Sequence, residues 1–261
     1  MTSLSLPAPC QPLQSEVVPR TARIAPGDWV FHVLNRANGH GALFDSPACY
    51  REFLQIVAEV AQIDSMRILA YCAMPNHWHM LLWPRHDGDL ARFAQRVSLR
   101  HTHRWHTRHQ TTGRGHLYQA RYKSFAVCSD AHLLTVCRYI ERNPLRAGLV
   151  SRAEQWPWSS AISHTRVGSG LRDGSAVRSD HVPLTPLPVD LPAEWTRLLD
   201  EPRNEDELEA MRSCVRRGLP FGSADWQAQA AERLGLKLDY GRPGRPPRSD
   251  RPDHAKQTKL L

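Results

Sequence analysis

Lysine is scarce in this 261-residue chain: arginine makes up nearly all of its 34 basic residues. Cysteine is sparse and scattered, at positions 10, 49, 72, 128, 137 and 214, with no CxxC pair. That pattern argues against a disulfide-stapled secreted scaffold and for reduced, mostly structural thiols in a cytoplasmic protein. No apolar run approaches the roughly 18 residues of a membrane span. Residues 1–25 also lack the basic start and apolar centre of a signal peptide. No membrane partner is therefore expected. What is present is positive charge, 34 Lys and Arg against 26 Asp and Glu, for a formal net charge of +8. The surplus favours a polyanion such as nucleic acid, and guanidinium groups suit bidentate contact with phosphate and base edges. With 41% hydrophobic residues, the chain can bury one sizeable core plus a smaller unit.

The pattern along the chain gives an α+β fold. WVFHVLNRA (29–37) reads as a strand and NGHG (38–41) as a turn. SPACYREFLQIVAEVAQID (46–64) reads as a helix with Ser46 as cap and Pro47 at its first position. MRILAYCAM (66–74) and HWHMLLW (77–83) form a hairpin broken at Pro75-Asn76. A second helix spans 88–109, a short strand 122–128, and a third helix about 130–143. The order β-α-β-β-α-β is the ferredoxin-like split β-α-β arrangement: a four-stranded antiparallel sheet with two helices on one side, followed by a further helix. The expected organisation is a flexible arm (1–27), a main folded domain (28–150), a linker or wrapping segment (151–193), a small helical extension (194–240) and a basic disordered tail (241–261).

The stretch MPNHWHMLLWP (74–84) places two histidines one residue apart. In a strand, residues two apart share a face, so His77 and His79 stand together while Trp78, Met80 and Leu82 point the other way. Two ordinary edge histidines would show the same spacing. In the third helix, Leu133, Val136, Cys137 and Ile140 form the apolar side, and His132, Thr135, Tyr139 and Asn143 a polar one. Pro144 ends that helix, because the residue before a proline avoids the α region. A tyrosine at the core margin followed by a capping asparagine fits the same pattern.

Four stretches, FHVLNRANGHGALF, MRILAYCAMPNHWHMLLWP, GRGHLYQARYKSF and CRYIERNPLRAGLV, cover most of 29–160. In that order they resemble the HUH single-tyrosine transposases of the IS200-like superfamily, and most of all its REP-associated tyrosine transposase branch. RRGLPFG and WQAQAAERLGL resemble the extension of that branch. The resemblance implies a DNA endonuclease and strand transferase in which His77 and His79 hold a divalent metal, Mg2+ or Mn2+, and Tyr139 is the nucleophile. Asn143 stands where insertion-sequence members often carry a glutamine metal ligand. It is one methylene shorter, so either direct ligation or a bridging water fits. The implied substrate is single-stranded or hairpin-forming DNA, in the form of repeated palindromic elements. The implied setting is the bacterial cytoplasm near the nucleoid, with the protein a monomer or a homodimer. A DNA- or RNA-binding protein without catalysis, or a metallohydrolase with no covalent intermediate, are the alternatives on the same scaffold.

Single-stranded DNA needs a positive track and stacking surfaces. Arg100, Arg104, Trp105 and Arg108 on the second helix supply both, as do Arg114, His116, Arg121 and Lys123 in the following loop and strand. The histidines at 101, 103, 106 and 109 read as a phosphate-facing polar surface. In the tail, Arg242 and Arg245 belong to two GRP units suited to a narrow minor groove.

Overall fold

A computed structural model describes residues 24–113, 115–168, 182–202 and 205–238. Four strands, β1 (Val30–Arg36), β2 (Arg67–Met74), β3 (His77–Trp83) and β4 (Lys123–Val127), form one sheet in the order β2-β3-β1-β4. All three pairings are antiparallel. Helices α1 (Pro47–Ile63) and α2 (Asp89–Arg108) follow β1 and β3, which completes the expected split β-α-β order. The α1 start is as the sequence predicts, with Pro47 in its first turn, but Ser46 makes no side-chain cap. Its hydroxyl instead donates to Cys49 Sγ at 3.3 Å.

Alternation along the strands builds two cores, one on each face. Phe31, Val33, Trp78, Met80 and Leu82 pack with Phe53, Val57, Phe93 and Val97 of α1 and α2. On the other face Val30, Cys72, Leu81, Phe125 and Val127 pack with Leu133, Val136, Cys137 and Ile140 of α3 (Ala131–Glu141). The sheet is therefore the middle of three layers, with the third helix on its own side. α3 stops at Glu141, just short of Pro144, but the residue before the proline does not leave the helical region as expected: Asn143 opens one further turn, α4 (Asn143–Arg146), because a proline fits the first turn of a helix.

Chain beyond this unit completes the second core. Helix α5 (Ala161–Gly168) follows a segment that runs along β2, where Ala73 N–H donates to Trp158 O and Ser160 N–H to Tyr71 O. Helix α6 (Trp195–Asp200) contributes buried Trp195 and Leu199. Helices α7 (Glu205–Arg217) and α8 (Ala224–Arg233) flank Phe221, which exchanges backbone hydrogen bonds with Ala126 and Cys128 along β4. Both sheet edges are thus covered, which removes open pairing surfaces. Among the described residues no helix is long and apolar enough to cross a membrane.

Trp78 is among the largest fully buried side chains, at 1% exposure. Its indole N–H donates to the Tyr118 hydroxyl at 3.1 Å. Trp78→Ala should lower unfolding free energy by about 3–5 kcal/mol, read by urea denaturation. A loss below about 1 kcal/mol would contradict its place at the centre of the core.

Candidate active site

The α3-facing side of the sheet carries a polar patch inside an apolar layer. Directly paired residues project to the same face. One row therefore reads Cys72, His79, Leu34, Lys123 across the four strands, and the adjoining pair is His77 with Arg36. His32 reaches diagonally from β1, its Nε2 lying 2.9 Å from His79 Nδ1, with the two rings stacked at 5.0 Å. The His77 and His79 rings meet edge to face at 4.9 Å. His77 Nδ1 lies 2.7 Å from Asn76 Oδ1. Both rings are thus held through Nδ1, which would leave Nε2 of each to a metal, as outer partners orient metal-binding imidazoles.

Burial keeps these imidazoles neutral. It lowers His32 to about 3 and His77 to about 4, with Arg36 and Arg146 adding to the latter. His79 is held well below the ordinary value by burial first, then by His77, His32 and Arg146. Neutral nitrogen is the form that binds a metal. Nitrogen donors with open positions beside them suit a divalent ion. A metal held at His79 Nε2 would require the tautomer in which Nδ1–H donates to His32 Nε2.

Tyr139 packs against this patch from α3, edge-on to His79 at 5.9 Å and to His32 at 6.1 Å. The tyrosine is 7% exposed and so belongs to the buried side of its helix, not to the polar stripe expected with His132 and Thr135. The sheet beneath it is locally polar, and a phenol fits there as well as an aliphatic side chain would elsewhere. Asp130 caps the start of α3, accepting from the His132 N–H at 2.8 Å, and the His132 ring lies against the same carboxylate, Nδ1 at 2.7 Å from Oδ1. Arg146 lies over the Tyr139 ring, 5.0 Å from its centroid. A cavity of about 190 Å³ opens beside Tyr139, lined by Arg142, Arg146, Pro202 and Leu208 among others.

Asn143 is buried and caps the end of α3. Its amide donates to the carbonyls of Tyr139 and Ile140, and its Oδ1 accepts from Arg146 Nη2 at 2.6 Å. Direct metal ligation by Asn143 would require that contact with Arg146 to open.

The structure does not bring every expected residue here. Arg100, Arg104, Trp105 and Arg108 lie in the α1/α2 layer, across the sheet from the histidine pair. Arg100 pairs with Glu59, Arg104 and Arg108 pair with Glu52, and Trp105 stacks on His109 at 4.1 Å. His101 is not a phosphate-facing group: it is buried, packed on Phe53, with its Nδ1 2.6 Å from the Tyr118 hydroxyl. Tyr118 is likewise buried in that opposite core, and Tyr122 packs at its margin. Lys123 is exposed in the His79 row, while exposed His116 and Arg121 flank the bridge between Tyr118 and Ala37 at the end of β1. Arg114, Arg242 and Arg245 fall outside the described residues. Three contributors escaped the sequence reading, namely His32, Arg36 and Arg146. The alternation of His32 and Arg36 with Val30 and Leu34 was the available signal, but only strand pairing attaches it to His79.

A second ligand set lies on the far side of α3. Ligand atoms of Cys137, Glu141 and His164 all fall within 4.8 Å of one another. By donor type alone this buried set is a candidate site for a divalent ion.

The depressed imidazoles carry a stability consequence. Between pH 6.5 and their own values, His32, His77 and His101 bind fewer protons folded than unfolded. Their contribution is therefore complete above about pH 6.5 and is lost as pH falls toward 3–4. His109, raised by its hydrogen bond to Asp45, acts oppositely, but its partner carboxylate is exposed and the pair is screened by solvent. Urea unfolding should show stability declining from about pH 7 to pH 5, and a flat profile would contradict the neutral, buried assignment.

Residues 28–143 match the family model described as "Transposase IS200 like". No curated protein sequence matches the chain. Among solved structures, a REP-associated tyrosine transposase bound to a REP hairpin is similar, at 20% identity over 66% of this chain and 91% of the other, with a TM-score of 0.47. A protein of Deinococcus radiodurans R1, provisionally described as a transposase, is similar at 19% identity over 47% and 92%, with a TM-score of 0.32.

Proposed function

We propose that this chain, whose residues 28–143 match the model of the IS200-like transposases, is a metal-dependent endonuclease and strand transferase acting on single-stranded, hairpin-forming DNA. The observation that carries this reading is the placement of one tyrosine ring, Tyr139, against His79 and His32.

In this reading the Tyr139 phenol oxygen attacks the scissile phosphorus, losing its proton. The bond from phosphorus to the 3′ oxygen breaks, and that oxygen leaves as a protonated 3′-hydroxyl. The DNA 5′ phosphate remains on the tyrosine, so the bond energy is retained for rejoining by another 3′-hydroxyl. Mg2+ or Mn2+ at His77 and His79 supplies charge neutralisation at the attacked phosphate. Nitrogen ligands favour Mn2+ and oxygen-seeking Mg2+ fits them less well. Arg36 and Arg146 place positive charge next to the same phosphate. Lys123, His116 and Arg121 are the members of the expected DNA track that reach this end of the sheet. For Arg100, Arg104 and Arg108 salt bridges compete with phosphate, and Trp105 is already stacked on His109.

Imperfect palindromes are the proposed target, on the strength of the sequence resemblance. The test is covalent trapping: labelled hairpin DNA and Mn2+ should yield a protein–DNA adduct that survives denaturing electrophoresis. Metal-dependent cleavage with no adduct would point to hydrolysis by water, and binding with neither would point to a non-enzymatic role.

A further inference from the structure

Glu141 is fully buried, yet it lies on the tyrosine helix only two residues beyond Tyr139. A buried carboxyl group is costly unless its oxygens are satisfied. Here both are. Ser160 Oγ donates to Oε1 at 2.5 Å, His164 Nδ1 lies 2.6 Å from the same oxygen, and Trp195 Nε1 donates to Oε2 at 3.0 Å. A carboxylate oxygen only accepts, so His164 bears its hydrogen on Nδ1. Ser160 is itself pinned to the backbone of Tyr71 on β2 through both its N–H and its hydroxyl. One side chain of α3 thus gathers β2, α5 and α6.

Helix α6 is tied to α3 at two more points. Arg142 Nη1 donates to Leu199 O and Arg138 Nη2 to Glu201 O. Ser160, His164 and all of α6 lie beyond residue 143, where the family match ends.

We propose that Glu141 is a positioning residue for Tyr139: its buried carboxyl group, held by Ser160, His164 and Trp195, fixes the roll of the tyrosine helix. The inference rests on the transposase reading of Tyr139. Two residues along a helix are about 3 Å apart and roughly 200° around its axis. A fastening at Glu141 therefore sets where the opposite side, with Tyr139, points. A misplacement of about 1 Å at a reacting atom costs on the order of 10²-fold in rate.

The geometry fits a hydrogen-bonded hub better than a metal centre. Two ligands on one tetrahedral ion, each about 2.0–2.2 Å from it, lie about 3.3 Å apart. His164 Nδ1 and Glu141 Oε1 stand closer than that, at hydrogen-bond distance.

The experiment uses the full chain and Glu141→Gln, which keeps the volume but turns an amide donor toward a donor. Single-turnover adduct formation at saturating hairpin DNA should slow roughly 10–100-fold. Hairpin affinity should stay within about twofold, and amide exchange across 131–141 should quicken ahead of the rest of the sheet. A folded Glu141→Gln protein forming adduct at the full rate would overturn the proposal. If that variant fails to fold, Trp195→Phe, which removes one donor, should give the same pattern with a smaller loss, and full-rate adduct there would also overturn it. If the unaltered protein forms no adduct, the transposase reading fails instead. The hub is then judged by exchange alone, and unchanged protection of 131–141 in the variant refutes it. Metal retained in a His77→Ala/His79→Ala protein and lost on adding Cys137→Ala would make the cluster a metal centre and refute the hub as well.

Discussion

Tyr139→Phe is expected to eliminate the covalent protein–DNA adduct and strand joining while leaving the fold intact. The substitution keeps the ring that packs on His32 and His79 and lies under Arg146, and deletes only the hydroxyl. Thermal stability should change by less than about 1 kcal/mol, because the aromatic burial is retained. Hairpin binding should also persist, since affinity for DNA comes from a spread of charged contacts. Among the described residues no other tyrosine packs on His79. The Tyr118 hydroxyl is engaged by Trp78 and His101 in the opposite core. Persistent adduct in the Tyr139→Phe protein would show that the site is built differently.

His77→Ala and His79→Ala should each reduce cleavage by roughly 10³-fold or more. In the proposed reading several kcal/mol of charge stabilisation would depend on a metal held by this pair, and each 1.4 kcal/mol or so is tenfold in rate. The two variants should differ in stability. His79 is 3% exposed and bonded to His32, so its loss leaves a cavity and strands a buried ring nitrogen. His77 is only partly buried, and its removal should cost little. Binding of Mn2+ should weaken in both, as isothermal titration would show. Cleavage at the unaltered rate in either variant would remove that histidine from the metal site.

Much of this arrangement is visible in the sequence because strand alternation is a local property. The phase of His77-Trp78-His79 assigns one face to the site and the other to the core, and Trp78 indeed sits among Phe53 and its neighbours. The helix start at Pro47 follows from the backbone chemistry of a single residue. What stayed hidden depends on long-range pairing. His32 lies 47 residues from His79, and only the β1–β3 register joins them. The α2 arginines have the right composition for DNA contact, but helical periodicity does not say which sheet face a helix covers, nor that Glu52 and Glu59 wait opposite them. Glu141 reads as an ordinary charged residue of an amphipathic helix, because its three partners lie 19 to 54 residues away. The short helices α5 and α6 left no clear period in a stretch dominated by glycine and proline.

The most direct measurement is peptide mapping of the adduct formed between the full chain, a labelled single-stranded hairpin and Mn2+. The account predicts label on the peptide that contains Tyr139, absent when metal is chelated. Label on a peptide containing Tyr118 or Tyr122, or an adduct that forms without metal, would contradict it.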